Sequence, residues 1–524
     1  MRRSSPTLIT SHPSIQRWLS EDSNHPRCVA ARALLQTSLP TTRGDRITAA
    51  NRRLETPATP ADSLFQVPMT PRSIDTVERS DPVRLICLAT LVSTHGLVRL
   101  AERYLPEFLS ALGYGPIVVG SLVSLGLGLT VAVSEYSSGS IDSDATSGLE
   151  TAAVAVLSAL LAAVGLLAWA GAPTIDSLLG TPLSALGWLT VGIVLLQVWH
   201  VRGPTRELWP TDSRATPPPS NAADDDPDRS NRRAVVPDRR THIVLGALGV
   251  VAAAVFATTA VASVDTVHAG FALVAATGAA VAVVGAVARG TLGDRSLLLG
   301  DRSESEGRAD GAATDDDPSL EVVRRAVSRL PDRRRWAVIG DALVRVAIAG
   351  IAPFLVLLVV EYRSIVLSIG GLSLAPAAVF GLFVLAEGVG AIAGAVSFPA
   401  LAARVDRRAL LAVGLAVVSL LPIALVAAPA SAGVVAVLFG LLGCRTAIEP
   451  LRPTVGTSAQ AAPIPGPRLP DEIRTAVRIA VVPAPLVGGL LYAINPLVAF
   501  TFASTVGLLG VRELGRAFSF GRDR

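Results

Sequence analysis

The chain has no lysine; all 46 of its basic residues are arginine. That excludes a Gly-Lys-Ser/Thr phosphate loop, whose lysine reaches the nucleotide phosphates. The arginine bias itself reads as GC-rich codon usage. Cysteine is nearly as scarce: Cys28, Cys87 and Cys444 are the only three. Their positions give neither a disulfide framework nor a zinc spacing. Methionine stands only at positions 1 and 69. Aromatics make up 5% of the chain, and no arginine stripe is interleaved with them, so a nucleic-acid partner is not expected. There is no Gly-x-Ser-x-Gly turn and no His/Cys/Asp cluster. The sequence therefore reads as a non-enzyme without a cofactor or metal.

What it has in abundance is apolar length. Half of its 524 residues are hydrophobic, and the mean hydropathy is +0.51. These residues are gathered into blocks such as TAAVAVLSALLAAVGLLAWAGA (151–172). About 20 apolar residues are what a helix needs to cross a bilayer. Twelve blocks occur, at 84–108, 116–135, 151–172, 179–199, 242–263, 268–288, 337–360, 374–398, 409–428, 432–447, 474–493 and 495–511. The expected fold is an all-α integral membrane protein of twelve transmembrane helices. Around them lie a polar N-terminal segment (1–82), a linker (289–335) and a tail (513–524). We expect translation to begin at Met69, with residues 1–68 an artefact of the assigned start; a disordered tail is the rival reading.

Arginine is unevenly shared among the connections. The segment 200–240 carries eight and the segment 289–335 ten. Segments 399–408 and 445–478 carry eight more between them, while the alternate loops hold only Arg363. The positive-inside rule then places both termini in the cytoplasm of a cell-membrane, multi-pass protein. Within the linker, Leu320, Val323, Val327 and Leu330 share one helical face opposite arginines. Such a helix lies on the inner membrane surface or leads, solvated, into the next span.

The chain also repeats itself. HGLVRLAERYLPEFL (95–109) aligns with DALVRVAIAGIAPFL (341–355), matching Leu-Val-Arg and a later Phe-Leu. GPTRELW (203–209) aligns with EPLRPTV (449–455), so that Pro204 and Arg206 match Pro450 and Arg452. Both matches fall at the same offset, 95 against 341 and 206 against 452. A duplicated six-helix unit follows, with bundles at 83–288 and 336–512. Six is even, so both copies enter the membrane in the same direction.

With this repeat the sequence resembles the major facilitator superfamily of secondary transporters, over about residues 83–512. In that family the loop after the second helix of each half reads roughly Gly-x-Leu-Ala-Asp-Arg-x-Gly-Arg-Arg. The second copy here, LAARVDRR, matches at Leu401, Ala402, Arg404, Arg407 and Arg408; Ala403 and Asp406 replace the family's Asp and Gly. The first copy, SGSIDSDATSG (138–148), keeps little beyond Gly139 and Asp142. The resemblance implies a cytoplasmic latch of charge pairs at this loop, a cavity lined by helices 1, 4, 7 and 10, and halves that rock about it. The family's exporter motif is absent from helix 5.

Charges inside the blocks are the candidate site. An arginine or aspartate at the centre of a span costs about 2.5–3.5 kcal/mol on insertion scales, and persists where it meets a partner or a polar cavity. Arg99, Glu387, Arg345, Glu102, His95 and Gln197 are the candidates for substrate binding or coupling. Arg99 and Arg345 are expected as a pseudo-symmetric pair at the cavity, with Glu387 mid-helix. Glu102 and Arg103 are placed toward the outer rim. Asp341 is paired with Arg345, four residues on. With Arg404, Arg407, Arg408, Pro204, Arg206, Pro450 and Arg452 it completes the gating or structural set. Gly390 and Gly394 are read as helix-contact positions. Two readings stay open. One is a secondary active transporter of a small-molecule solute, with the proton as candidate coupling ion. The other is a transporter-like sensor or interaction protein that does not transport.

Overall fold

A computed structural model describes residues 82–298 and 320–519, apart from 140–147, 180–183, 203–238, 265, 370 and 455–468. The first 81 residues, Pro204 and Arg206 thus lie outside the described residues, as does most of the first-copy loop. The helices are α1 (Pro82–Ala111), α2 (Pro116–Gly139), α3 (Gly148–Leu179), α4 (Ala185–Arg202), α5 (Arg239–Ala262) and α6 (Val267–Leu298). They continue with α7 (Leu320–Arg329), α8 (Asp332–Ile351), α9 (Pro376–Arg404), α10 (Arg407–Ala427), α11 (Ala432–Ile448), α12 (Asp471–Val481), α13 (Ala484–Ile494) and α14 (Pro496–Ser519). Strands β1 (Leu367–Ile369) and β2 (Leu372–Leu374) pair as a short antiparallel hairpin. Gly371, just before β2, has the left-handed φ of +87° that glycine adopts readily.

Among the described residues, ten segments are long and apolar enough to cross a bilayer. Helices α1 and α4 fall outside that ten for different reasons. Helix α1 has 30 residues but carries Arg99, Glu102, Arg103 and Glu107. Helix α4 is apolar and only 18 residues long. Both nevertheless pack within the same array. Away from the array the helices show apolar stripes. On α3, Leu157, Leu160, Val164 and Leu167 recur at helical spacing and are all exposed, a surface suited to lipid.

Prolines mark where spans bend. After Ile351 the segment of α8 continues through a 3-10 turn (Ala352–Phe354), one α turn (Leu355–Leu357) and a π turn (Leu358–Tyr362). Pro353 cannot donate to the helical ladder, which accounts for the change of pitch. Pro422 interrupts α10, and the N–H of Ile423 is donated instead to Ser504 Oγ of α14 at 2.9 Å. The eleventh apolar block is split at Pro483 into α12 and α13.

Helix packing follows the repeat. In the first set α1 packs on α5 and α6, α3 on α4 and α6, and α2 on α4. In the second set α8 packs on α13 and α14, α10 on α11 and α14, and α9 on α11. Each pair in one set has its counterpart six spans later in the other. The sets meet along two seams, α2 with α13 and α5 with α9. Exchanging the sets turns one seam into the other, as a two-fold relation requires.

Two expectations are revised here. Helix α6 extends to Leu298 and α14 to Ser519, beyond the expected ends at 288 and 512. The described part of the apolar face of helix α7 is covered. Val327 and Leu330 pack with Val338 of α8 and with Ile473 and Val477 of α12. Gly390 and Gly394 do sit at a helix contact, against Gly440 and against Cys444 and Ala447 of α11.

Candidate functional site

A cavity of about 720 Å³ lies between the two sets, a size that suits a small ligand. We call the membrane face where α1 begins the first face, and the one where it ends the second. The lining reaches Ile243 near the start of α5, His200 near the end of α4, and Glu449 just after α11. All three positions lie toward the first face. Toward the second face the lining stops at Leu105 of α1.

At this end the sets are in tight contact. Tyr104 donates its hydroxyl to the Ala377 carbonyl of α9 at 2.9 Å and meets Phe380 edge-on. Phe380 and Phe383 both pack on Phe439 of α11. Gly381 lies directly against Thr258 of α5. On the other seam Gly120 faces the Pro485 carbonyl and Gly489 the Pro116 carbonyl. The Leu486 N–H is donated to Ser124 Oγ at 3.0 Å. The cavity is thus shut on the second face and extends toward the first.

Its charges form two groups. In the first, Glu102 accepts from Arg99 at 3.2 Å and lies 2.5 Å from His200 Nε2 of α4. Every member of this group belongs to the first helix set. In the second, Glu387 of α9 accepts from Arg103 of α1 at 2.8 Å and lies 3.4 Å from Arg445 of α11. This group crosses between the sets. Among the described residues Arg103 Nη1 and Glu387 Oε2 have no hydrogen-bond partner. Each partner of this ion pair therefore keeps one polar atom unmet. Gln197 bonds Thr130 of α2 and also lines the cavity, as does His95 one turn before Arg99.

The sequence-derived residues thus divide. Arg99, Glu102, His95, Gln197 and Glu387 meet in one cavity. Glu102 and Arg103 are not rim residues, because the chain closes over them at Tyr104. Arg345 is not among the cavity residues. It neighbours Asp341, Arg452, Glu449 and Arg478, so the pseudo-symmetric pair with Arg99 does not converge on one space. Asp341 is fully buried, and its hydrogen bonds go to Arg452 at 2.6 Å and to the backbone and hydroxyl of Thr454. Arg345, on the same helix face, is not its hydrogen-bond partner. Arg452 comes from beyond the 3-10 turn of Glu449–Leu451, which holds Pro450 at its second position. In the loop after α9, Asp406 accepts from the Arg408 N–H and caps α10. The aspartate at the family's glycine position thus has a local helix-capping role. Arg404 and Arg407 flank it at the ends of α9 and α10.

Sequence reasoning missed His200 and Arg445. Both stand in the last turns of their helices, where an arginine or histidine reads as an interfacial charge. Arg445 was counted with a connecting segment, whereas it lies inside α11 and reaches Glu387. A usable signal was Glu387 itself, a carboxylate far from both ends of its helix that needs cationic partners.

No family model matches the chain, and no curated protein does. Solved structures do match. One is a peptide transporter POT in complex with alafosfalin, at 14% identity and a TM-score of 0.51, covering 83% of this chain and 95% of that one. A second is a POT family transporter in complex with 5-aminolevulinic acid, at 14% identity and 0.50, covering 83% and 96%. A third is the xylose transporter XylE from E. coli in a partially occluded inward-open conformation, at 12% identity and 0.51, covering 83% and 96%. At such identities the likeness is one of fold, and the chain has the fold of the major facilitator superfamily in a divergent sequence.

Proposed function

We propose that the chain is a secondary active transporter that moves a small polar solute by alternating access, with a proton as the coupling ion at Glu387. The arginine asymmetry makes the first face cytoplasmic, so the cavity described above is inward-facing. The observation that carries the reading is the Arg103–Glu387 pair. It joins the two helix sets at the closed end of a cavity, where their relative movement changes it. Three arginines and three glutamates line the space (Arg99, Arg103 and Arg445; Glu102, Glu387 and Glu449). Equal numbers of both signs favour a solute bearing both a donor-rich and an acceptor-rich group over a purely apolar one. A proton on Glu387 would weaken its hold on Arg103 and let the sets separate. The three structures described above are of a peptide transporter in complex with alafosfalin, a POT family transporter in complex with 5-aminolevulinic acid, and a xylose transporter.

Purified protein in proteoliposomes, offered a panel of polar solutes with and without a proton gradient, tests this. Gradient-dependent accumulation of one solute class supports it. A panel that stays flat, in vesicles whose protein is folded, favours the sensor reading.

A further inference from the structure

The cavity does not account for one buried acid. Glu107 of α1 lies beyond Tyr104 on the closed side and is 3% exposed. Among the described residues neither of its carboxyl oxygens has a hydrogen-bond partner. Arg103, one turn before Glu107 on α1, makes no hydrogen bond to it, although its Nη1 has no partner among the described residues. Arg103 donates to Glu387, Tyr104 to Ala377, and Arg363 to the Val426 carbonyl of α10. His268 of α6 sits edge-on against Phe108, the next residue. Tyr492 of α13 is buried, with a hydroxyl that has no hydrogen-bond partner among the described residues.

A second carboxyl approaches from the other helix set. Glu361, in the π turn that ends the α8 segment, accepts a hydrogen bond from Ser110 Oγ of α1. Ser110 is three residues past Glu107 and on the same face of α1. Two acids from opposite sets, the buried Glu107 and the exposed Glu361, therefore come near each other at the second face. An ionised carboxyl held out of water with no donor is strongly disfavoured, and it neutralises instead. A neighbouring carboxylate disfavours its ionisation further.

We propose that Glu107, set against Glu361, is a proton-binding site of the closed second face: shutting that face takes up one proton, and opening it to water returns the proton to the same side. The site rests on the alternating-access reading for its exchange with water, but its occupancy in the shut form does not. It differs from Glu387 in place and in role. Glu387 faces the substrate space, whereas Glu107 senses acidity on the second face and moves no net charge. One coupled proton sets a ceiling of about tenfold in the shut-to-open ratio per pH unit.

The test uses the full chain in nanodiscs, with Cys28, Cys87 and Cys444 replaced by serine. Spin labels at Ala111→Cys and Ser431→Cys report the opening of the second face. The expected result is a shut population that grows on acidification, by up to about tenfold per pH unit, and a Glu107→Gln variant that stays shut at every pH. A Glu107→Gln variant with the wild-type pH response overturns the proposal. Infrared difference spectra separate this outcome from a failure of alternating access. If the label distance never changes, the access reading fails. The carboxylic-acid C=O band then still decides the proton site: a band in the wild type that Glu107→Gln lacks supports it, and a wild type without such a band overturns it.

Discussion

Arg103 and Glu387 are 284 residues apart in sequence and 2.8 Å apart in space. One belongs to α1, the other to α9, and the second partner of Glu387, Arg445, sits on α11 of the same set. The carboxylate is therefore held from both sides of the seam. If the sets separate, Arg103 leaves and Arg445 stays.

That asymmetry makes the two single substitutions unequal. Glu387→Ala strands two guanidinium groups in a part-buried space, whereas Arg103→Ala leaves Glu387 with Arg445. Removing one partner of a buried pair costs about 3–5 kcal/mol, and the charged remainder is the main reason. Thermal unfolding of the purified protein should show the larger loss for Glu387→Ala. The double variant should fall short of the sum by about 0.5–3 kcal/mol. Simple additivity would mean the pair is not formed.

Asp341 offers a sharper choice between partners. Its hydrogen bonds run to Arg452 and Thr454, not to Arg345. Asp341→Ala and Arg452→Ala should each lower the melting temperature, by the equivalent of about 3–5 kcal/mol. Arg345→Gln should change it little by comparison. The opposite ranking would restore the Asp341–Arg345 pair that the sequence spacing favours.

Close helix contact on α11 is testable against an internal control. A Cβ at Gly443 would run into the Glu387 carbonyl of α9, while one at Gly433 meets nothing within 4 Å. Gly443→Ala should sharply reduce the yield of folded protein. Gly433→Ala should be neutral, or stabilising by up to about 1 kcal/mol, because alanine lowers the entropy of the unfolded chain. Size-exclusion profiles of the two variants check this. Equal profiles would refute the packing of α9 on α11.

Helix α7 has its described apolar residues against α8 and α12 rather than lipid. Leu330→Asp should therefore release it even in detergent, with no bilayer present. Trypsin should then cut faster at Arg324, Arg325 and Arg329. An unchanged digestion rate would mean the helix is not held by Leu330.

Much of this fold was legible because a bilayer simplifies the code. Length and hydropathy alone placed the spans, and the shared offset of Leu-Val-Arg and Pro-x-Arg revealed the duplication. The site was harder to read. Glu387 stood out, since a carboxylate far from both helix ends is costly without partners. Its partners did not, because Arg103 and Arg445 lie nearer helix ends, where arginine is ordinary. Depth along a helix is readable from sequence, but where the chain closes over a cavity is not. Tyr104 meeting Phe380 and Ala377 turned a presumed rim into an interior. The repeat also misled at one point. Equivalent positions in two related sets share a local environment, yet Arg99 looks into the cavity and Arg345 into the cluster of Asp341 and Arg452. Beyond that offset, what differs between the copies, His95 against Asp341 and the whole neighbourhood of Glu387, decides where each arginine goes.

The central claim is that the cavity faces each side of the membrane in turn. Arg99→Cys, in the background without Cys28, Cys87 and Cys444, places a thiol on a half-exposed cavity position. Membrane-impermeant maleimide added to one side of sealed vesicles at a time measures its access. The account predicts labelling from either side, with the balance shifted by solute or pH. Labelling from the first face alone, under every condition, would contradict it.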